Sequence, residues 1–215
     1  DILYSTYFGP KGSDIEDIKI DKVGNIYITG NVFTLEDFVD FPITDDAFQT
    51  EHNNSNDFYI TKFNSKGNKI MASTFFGGND DEEKCKLSLY KNKVILYGAT
   101  KSKDMPVSEN AFMKSIDDTL RQRSLHISVL TDNLENMIGG TYLGGKWGEN
   151  IGDIEVDDNG NILVCGVTTS EEFPTTENTY QPEKNSVSGF VTKLNSDLSD
   201  LIFSSFSKTS WNDDI

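Results

Sequence analysis

Along this chain apolar residues alternate with polar ones in short runs and show no helical spacing. In IEDIKID (15–21) and NIGDIEVD (150–157) the apolar side chains fall at Ile18 and Ile20, and at Ile154 and Val156, with charged residues between them. That period of two predicts strands. A turn follows each run, Asp21-Lys22-Val23-Gly24-Asn25 in one and Asp157-Asp158-Asn159-Gly160-Asn161 in the other. Glycine supplies a positive φ and Asp or Asn caps the turn amides, so the chain reverses into a hairpin. The returning strands, NIYITG (25–30) and NILVCG (161–166), are apolar on both sides: Tyr27 points away from Ile26 and Ile28, and Leu163 and Cys165 away from Ile162 and Val164. A strand of that kind belongs to a sheet covered on both faces.

The pattern recurs. YSTYFG (4–9), ASTFFG (72–77), GGTYLG (139–144) and FSSFSK (203–208) correspond, and their second residues, Ser5, Ser73, Gly140 and Ser204, lie 68, 67 and 64 residues apart. A second recurring segment is FPITDDAFQT (41–50), MPVSENAFMK (105–114) and FPTTENTYQP (173–182). Its prolines, Pro42, Pro106 and Pro174, mark a strand exit because proline donates nothing to a ladder. Thr44, Ser108 and Thr176 are placed to satisfy local amides, and Phe48, Phe112 and Tyr180 to anchor the loop to the body. Third strands follow at DFYITKF (57–63), LHISVL (125–130) and GFVTKLN (189–195). Each unit therefore reads as a four-stranded antiparallel sheet with one anchored loop. Sheets that repeat at this period and are covered on both faces predict the blades of a β-propeller rather than a β-sandwich with polar outer faces.

The succession YSTYFG, D-x-x-G-N-I-Y, F-P, A-F-Q and D-F-x-x-K-F closely resembles the SBBP repeat, a β-propeller repeat of bacterial secreted and cell-surface proteins. The resemblance spans essentially the whole chain. It is weakest in the middle unit, where Lys91-Asn92-Lys93 replaces the Asp-x-x-Gly-Asn turn and Arg123-Ser124-Leu125-His126 replaces the Asp-Phe lead-in. It implies an all-β single region, 1–215, with about three blades of a partial or open propeller. The expected divisions are an outer strand of a preceding blade at 1–9, blades at 10–77, 78–144 and 145–208, and the start of a further blade at 209–215. Missing blades are expected from a longer chain or from another subunit. The implied role is a non-catalytic extracellular or cell-surface module that binds protein or glycan, or serves as a scaffold. Self-assembly through open blade ends is the second expectation. A polysaccharide lyase or glycosidase is the third.

Composition narrows the partners. The 215 residues carry a net charge of −16, which repels phosphate backbones and argues against nucleic acid. Aromatic content of 11 % together with 17 glycines fits a turn-rich β protein rather than a disordered acidic tail. No apolar run is long enough to span a membrane. The chain opens on Asp1-Ile2-Leu3, with no basic or apolar targeting segment, as a mature secreted product or an excised piece would. Asn53-Asn54-Ser55 is the single glycosylation-type triplet.

Candidate chemistry is sparse. Asp157, Asp158, Asn159 and Asn161 invite a calcium reading, but an EF-type loop needs a bidentate Glu where this chain has Thr168, and the first unit keeps only Asp21 and Asn25. No metal or other cofactor is expected beyond that weak candidate. Cys85 and Cys165 fall in adjacent units, either as two small buried hydrophobes or as a bridge. His52 and His126 share no repeat position and have no nucleophile at a recognisable spacing. Asp80-Asp81-Glu82-Glu83 and Glu171-Glu172 read as solvated loop ends. Trp147 and Trp211 each precede a first-strand isoleucine by four residues, on loops at one rim, where they would stack on sugars or grip a partner, or else plug the gap between blades. Were the protein an enzyme, carboxylates on successive inner strands would carry the reaction: Asp14, Asp17, Glu149, Asp153 and Asp213.

Overall fold

A computed structural model describes residues 5–33, 41–53, 55–116, 122–177, 179–183 and 186–207. The first sheet comprises β1 (Asp17–Ile20), β2 (Ile26–Val32), β3 (Asp57–Phe63) and β4 (Ile70–Phe76). The second comprises β5 (Glu82–Tyr90), β6 (Lys93–Thr100), β7 (Ser124–Thr131) and β8 (Met137–Leu143). The third comprises β9 (Glu149–Val156), β10 (Ile162–Thr168), β11 (Ser188–Leu194) and β12 (Leu201–Phe206). Every sheet is an antiparallel meander in chain order, and no helix occurs among the described residues. None of the described elements is a helix long and apolar enough to cross a membrane.

The hairpins close as their sequences require. Asp21 Oδ1 accepts the amides of Val23 at 3.0 Å and Asn25 at 2.8 Å, and Gly24 takes φ +90°. Asp157 repeats this with Asn159 and Asn161, both at 2.9 Å, and Gly160 at φ +87°. In the second sheet the turn shrinks to Lys91 and Asn92, with Lys91 at φ 53°, and longer strands flank it.

The Pro-containing loop runs along the outer edge of each sheet. Thr44, Ser108 and Thr176 donate their amides to the carbonyls of Ser73, Gly140 and Ser204, and their hydroxyls accept the amides of those same residues. An exposed strand edge is thereby occupied by the unit's own loop. The loop then reaches the following sheet: the amides of Phe48 and Phe112 donate to the carbonyls of Leu134 and Leu198 at 2.9 and 2.8 Å. Tyr180, expected to anchor in the same way, is 82 % exposed.

The sheets stack in chain order through unlike faces. The first presents Tyr27, Phe58 and Ile60 to Leu87, Val94 and Leu96 of the second. The second presents Ile95, Tyr97 and Ile127 to Ile154, Ile162 and Val164 of the third. In repeat register Tyr27 corresponds to Ile95 and Ile28 to Leu96 and Val164, so one face of each sheet always meets the opposite face of the next. Leu134 and Leu198, at φ 60° and 62°, are buried in these junctions. The three sheets do not close on one another.

Two expectations need correcting. Residues 5–8 match the last-strand motif but are not in a strand and pair with none of the described strands. Phe8 nonetheless packs on the first sheet, its ring 5.4 Å from Phe41, 5.7 Å from Tyr59 and 5.3 Å from Phe63. Coverage of both faces, expected from Leu163 and Cys165, holds for the second sheet; among the described residues no sheet stacks on the Leu163 face of the third.

Candidate functional site

The candidate residues gather at the rim where first strands begin and second strands end. Glu82 and Glu149 share one repeat position there, which Ser13 holds in the first unit, and Asp14 stands one residue further along. Asp14 Oδ1 accepts the Asn31 amide at 2.7 Å. Glu82 Oε1 accepts the Thr100 hydroxyl at 2.7 Å, and Oε2 the Gly78 amide at 3.1 Å. Glu149 Oε1 accepts the hydroxyls of Thr168, at 3.0 Å, and Ser170, and the Gly145 amide at 3.3 Å. Glu82 and Glu149 are wholly buried, so both belong to the junctions between sheets. Reading Glu82 as part of a solvated acidic run was therefore wrong: it opens β5, and its side chain turns inward beside Asp57. Aligning it with Glu149 would have flagged it.

Asp57 and Glu82 form a buried carboxyl pair that the sequence did not announce. A Cβ on Gly77 would stand 2.3 Å from Asp57 Oδ1 and 2.5 Å from Glu82 Oε2, so only glycine fits between them. Asp57 Oδ2 accepts the Asn53 amide at 2.8 Å and the Gln49 side-chain amide at 3.2 Å. Burial pushes Glu82 up to about 8 and also raises Asp57. The pair therefore holds a proton that neither carboxyl would keep in water. At the second junction Ser124 replaces Asp57, and burial alone takes Glu149 up to about 7.

The other acidic candidates are spread apart. Asp17 Oδ2 accepts the Leu87 amide at 2.9 Å across the first junction, while Asp153 Oδ1 accepts the Ile154 amide at 3.0 Å on an exposed segment of β9. Glu172 pairs with Lys146 at 3.0 Å, and Glu83 with Lys101 and Arg123 at 2.8 and 2.7 Å. Among the described residues no group of three or more His, Cys, Asp and Glu side chains is placed to hold a metal. Asp213, Trp211 and Asn54 lie outside the described residues. Trp147 is 49 % exposed on the β8–β9 loop; its amide donates to Ser170 Oγ at 2.8 Å, and that hydroxyl also serves Glu149.

At the calcium candidate, Asp157 Oδ2 accepts the Asn161 side-chain amide at 2.9 Å and pairs with the Lys193 ammonium at 2.6 Å. Lys193 and Asn161 hold the Asp157 carboxyl well below the usual carboxylate range. An ammonium thus stands where a cation would, and Asp158 and Asn159 point to solvent. Both cysteines are free: Cys85 is buried in the first junction with Sγ 3.3 Å from Thr29 Oγ1, and Cys165 lies half-buried on the uncovered face of the third sheet. His126 is buried, with Nε2 donating to the Pro106 carbonyl at 2.9 Å and Nδ1 accepting the Ser128 hydroxyl at 2.9 Å. Burial lowers its pKa to about 3, so it is a neutral core residue at the repeat position of Tyr59 and Phe190.

The opposite end offers a groove. At the second junction Tyr90 reaches across, its hydroxyl donating to the Asp158 carbonyl at 2.9 Å. The same repeat position at the first junction is Asp21, and there a cavity of about 470 Å³ opens among Asp21, Lys22, Tyr27, Lys91 and Asp132.

No protein-family model matches the chain, and no curated protein matches it significantly.

Proposed function

We propose that the chain is a non-catalytic β-propeller module of the SBBP-repeat kind, working outside the cell or on its surface as a binding or scaffolding unit for protein or glycan. The observation that carries this reading is the repeated junction: the same two faces meet twice, as they do between successive propeller blades. The fate of the rim carboxylates supports a non-catalytic role. Both oxygens of Glu82 and Oε1 of Glu149 accept from hydroxyls and amides of the protein, and both side chains are buried out of reach of a substrate. Trp147 is the rim side chain available to stack on a sugar or a partner, with its backbone fixed through Ser170.

Incubation with a panel of soluble polysaccharides, following both retention and reducing-end release, tests this. Retention without release, weakened by Trp147→Ala, is the expected result. Release that disappears in Glu149→Gln would replace the module by an enzyme.

A further inference from the structure

We propose that the groove between the first two sheets, at their hairpin-turn end, binds a carboxylate-bearing sugar, a uronic acid residue of an acidic glycan, whose carboxylate pairs with Lys22 and Lys91. The site lies at the opposite end of the sheets from Trp147 and does not rest on that residue.

The two junctions differ at three equivalent positions. Where the second has Tyr90, Val129 and Ser196, the first has Asp21, Lys62 and Asp132. At the second, the Tyr90 ring crosses between the sheets: its hydroxyl donates to the Asp158 carbonyl at 2.9 Å, and a Cβ on Gly160 would stand 2.9 Å from the ring. At the first, the shorter Asp21 takes that position and a cavity of about 470 Å³ opens. A volume of that order suits a small-molecule site. The groove thus occupies the place that a hydroxylated six-membered ring takes at the other junction.

The charges around it select the sign of the ligand. Its two carboxylates are satisfied within the protein. Asp132 pairs with the Lys62 ammonium at 3.1 Å, and that ammonium also lies 5.2 Å from the centre of the Tyr27 ring. Asp21 accepts the amides of Val23 and Asn25 and, through Oδ2, the Asn25 side-chain amide at 2.8 Å. Lys22 and Lys91 stand on the hairpin turns of the first and second sheets; both are exposed, and neither pairs with a carboxylate among the described residues. Lys91 Nζ rests 4.7 Å from the centre of the Tyr90 ring, a weak contact at an exposed site, which a rotation of the side chain exchanges for an anion. In a chain of net charge −16, two unpaired ammoniums lining one groove make it a local site for negative charge. The rest of the lining suits a sugar rather than a bare ion. Tyr27 and Leu89 supply an apolar wall, and Asn25 and Asn92 bring side-chain amides for ring hydroxyls. A hydroxylated ring that carries a carboxylate is a uronic acid.

Calorimetric titration with short oligomers of galacturonic acid and of glucuronic acid, at low and high salt, tests the proposal. Saturable binding is expected for at least one of them, weaker in salt, and lost when the carboxylates are methyl-esterified. Lys22→Gln and Lys91→Gln should each weaken it about fivefold. Both side chains are exposed, so both variants fold, as circular dichroism would verify. Lys114→Gln makes the same charge change on an exposed residue away from the groove, and it should leave binding unchanged, as should Trp147→Ala at the other rim. No binding of either oligomer at low salt overturns the proposal. So does equal binding of the methyl esters, which have no charge to pair, or of polyglutamate, which carries the charge without the ring. A loss in Lys114→Gln as large as in the two groove variants overturns it as a general charge effect. A loss in Trp147→Ala with none in the groove variants overturns it too, and moves the glycan to the other rim.

Discussion

At the scale of single residues, burial sets the proton affinities that matter. Glu82 and Glu149 titrate near 8 and 7 in the fold against an ordinary 4.5. A carboxyl raised in this way favours the folded state while protonated; its contribution is complete below the unfolded pKa and disappears as pH rises through the folded one. His126 works in the other direction. Its folded value of about 3 lies below the ordinary 6.5, so stability is lost as pH falls from 6.5 towards 3. Urea titrations at successive pH values should therefore show greatest stability at about pH 5, with a decline towards pH 9. Glu149→Gln keeps an acceptor for Thr168, Ser170 and Gly145 and removes the ionisation. It should match wild type at pH 5 and exceed it at pH 9 by about 2 kcal/mol, a fraction of the shift taken at 1.36 kcal/mol per unit. Asp157 gives a further prediction. With Lys193 bonded to it, millimolar Ca²⁺ and excess EDTA should leave the melting temperature unchanged; a calcium-dependent rise would restore the metal reading of the turn.

At the scale of elements, the junctions depend on a few positions where one sheet enters another. Gly98 in β6 is one: a Cβ there would stand 2.2 Å from Cζ of Phe58, which crosses from the first sheet. Gly98→Ala should cost about 1–3 kcal/mol by overpacking, measured by urea denaturation. Combined with Phe58→Ala, which removes the ring that the new methyl strikes, the total loss should fall short of the sum of the two single losses, so the two changes are non-additive. Leu134 is another. Its turn conformation suits glycine, yet its side chain is buried under Phe48 between the first two sheets. Leu134→Ala keeps the unfavourable φ and empties the site, so a loss of about 2–4 kcal/mol is expected. Equal stability in that variant would show that the turn, and not the packing, joins the sheets.

At the scale of the whole molecule, the middle sheet is the one with a neighbour on each face. Amide exchange should accordingly be slowest in β6 and β7 and faster in β1 and β10, each of which has an uncovered side. Uniform protection across the three sheets would contradict that ordering.

The order of strands, the turns and the repeat were legible in the sequence, because alternation, Asp-x-x-Gly-Asn and the Phe-Pro loop are local signals set by backbone sterics and neighbouring amides. The twelve strands follow from them, apart from the 5–8 segment, where a ladder needs a partner that local pattern cannot supply. Only the tertiary structure decided which face of each sheet meets the next. It alone paired Asp57 with Glu82 and made His126 a neutral core residue. Those outcomes depend on burial between segments some 70 residues apart, and a residue's own neighbours in the chain do not encode its distance from water.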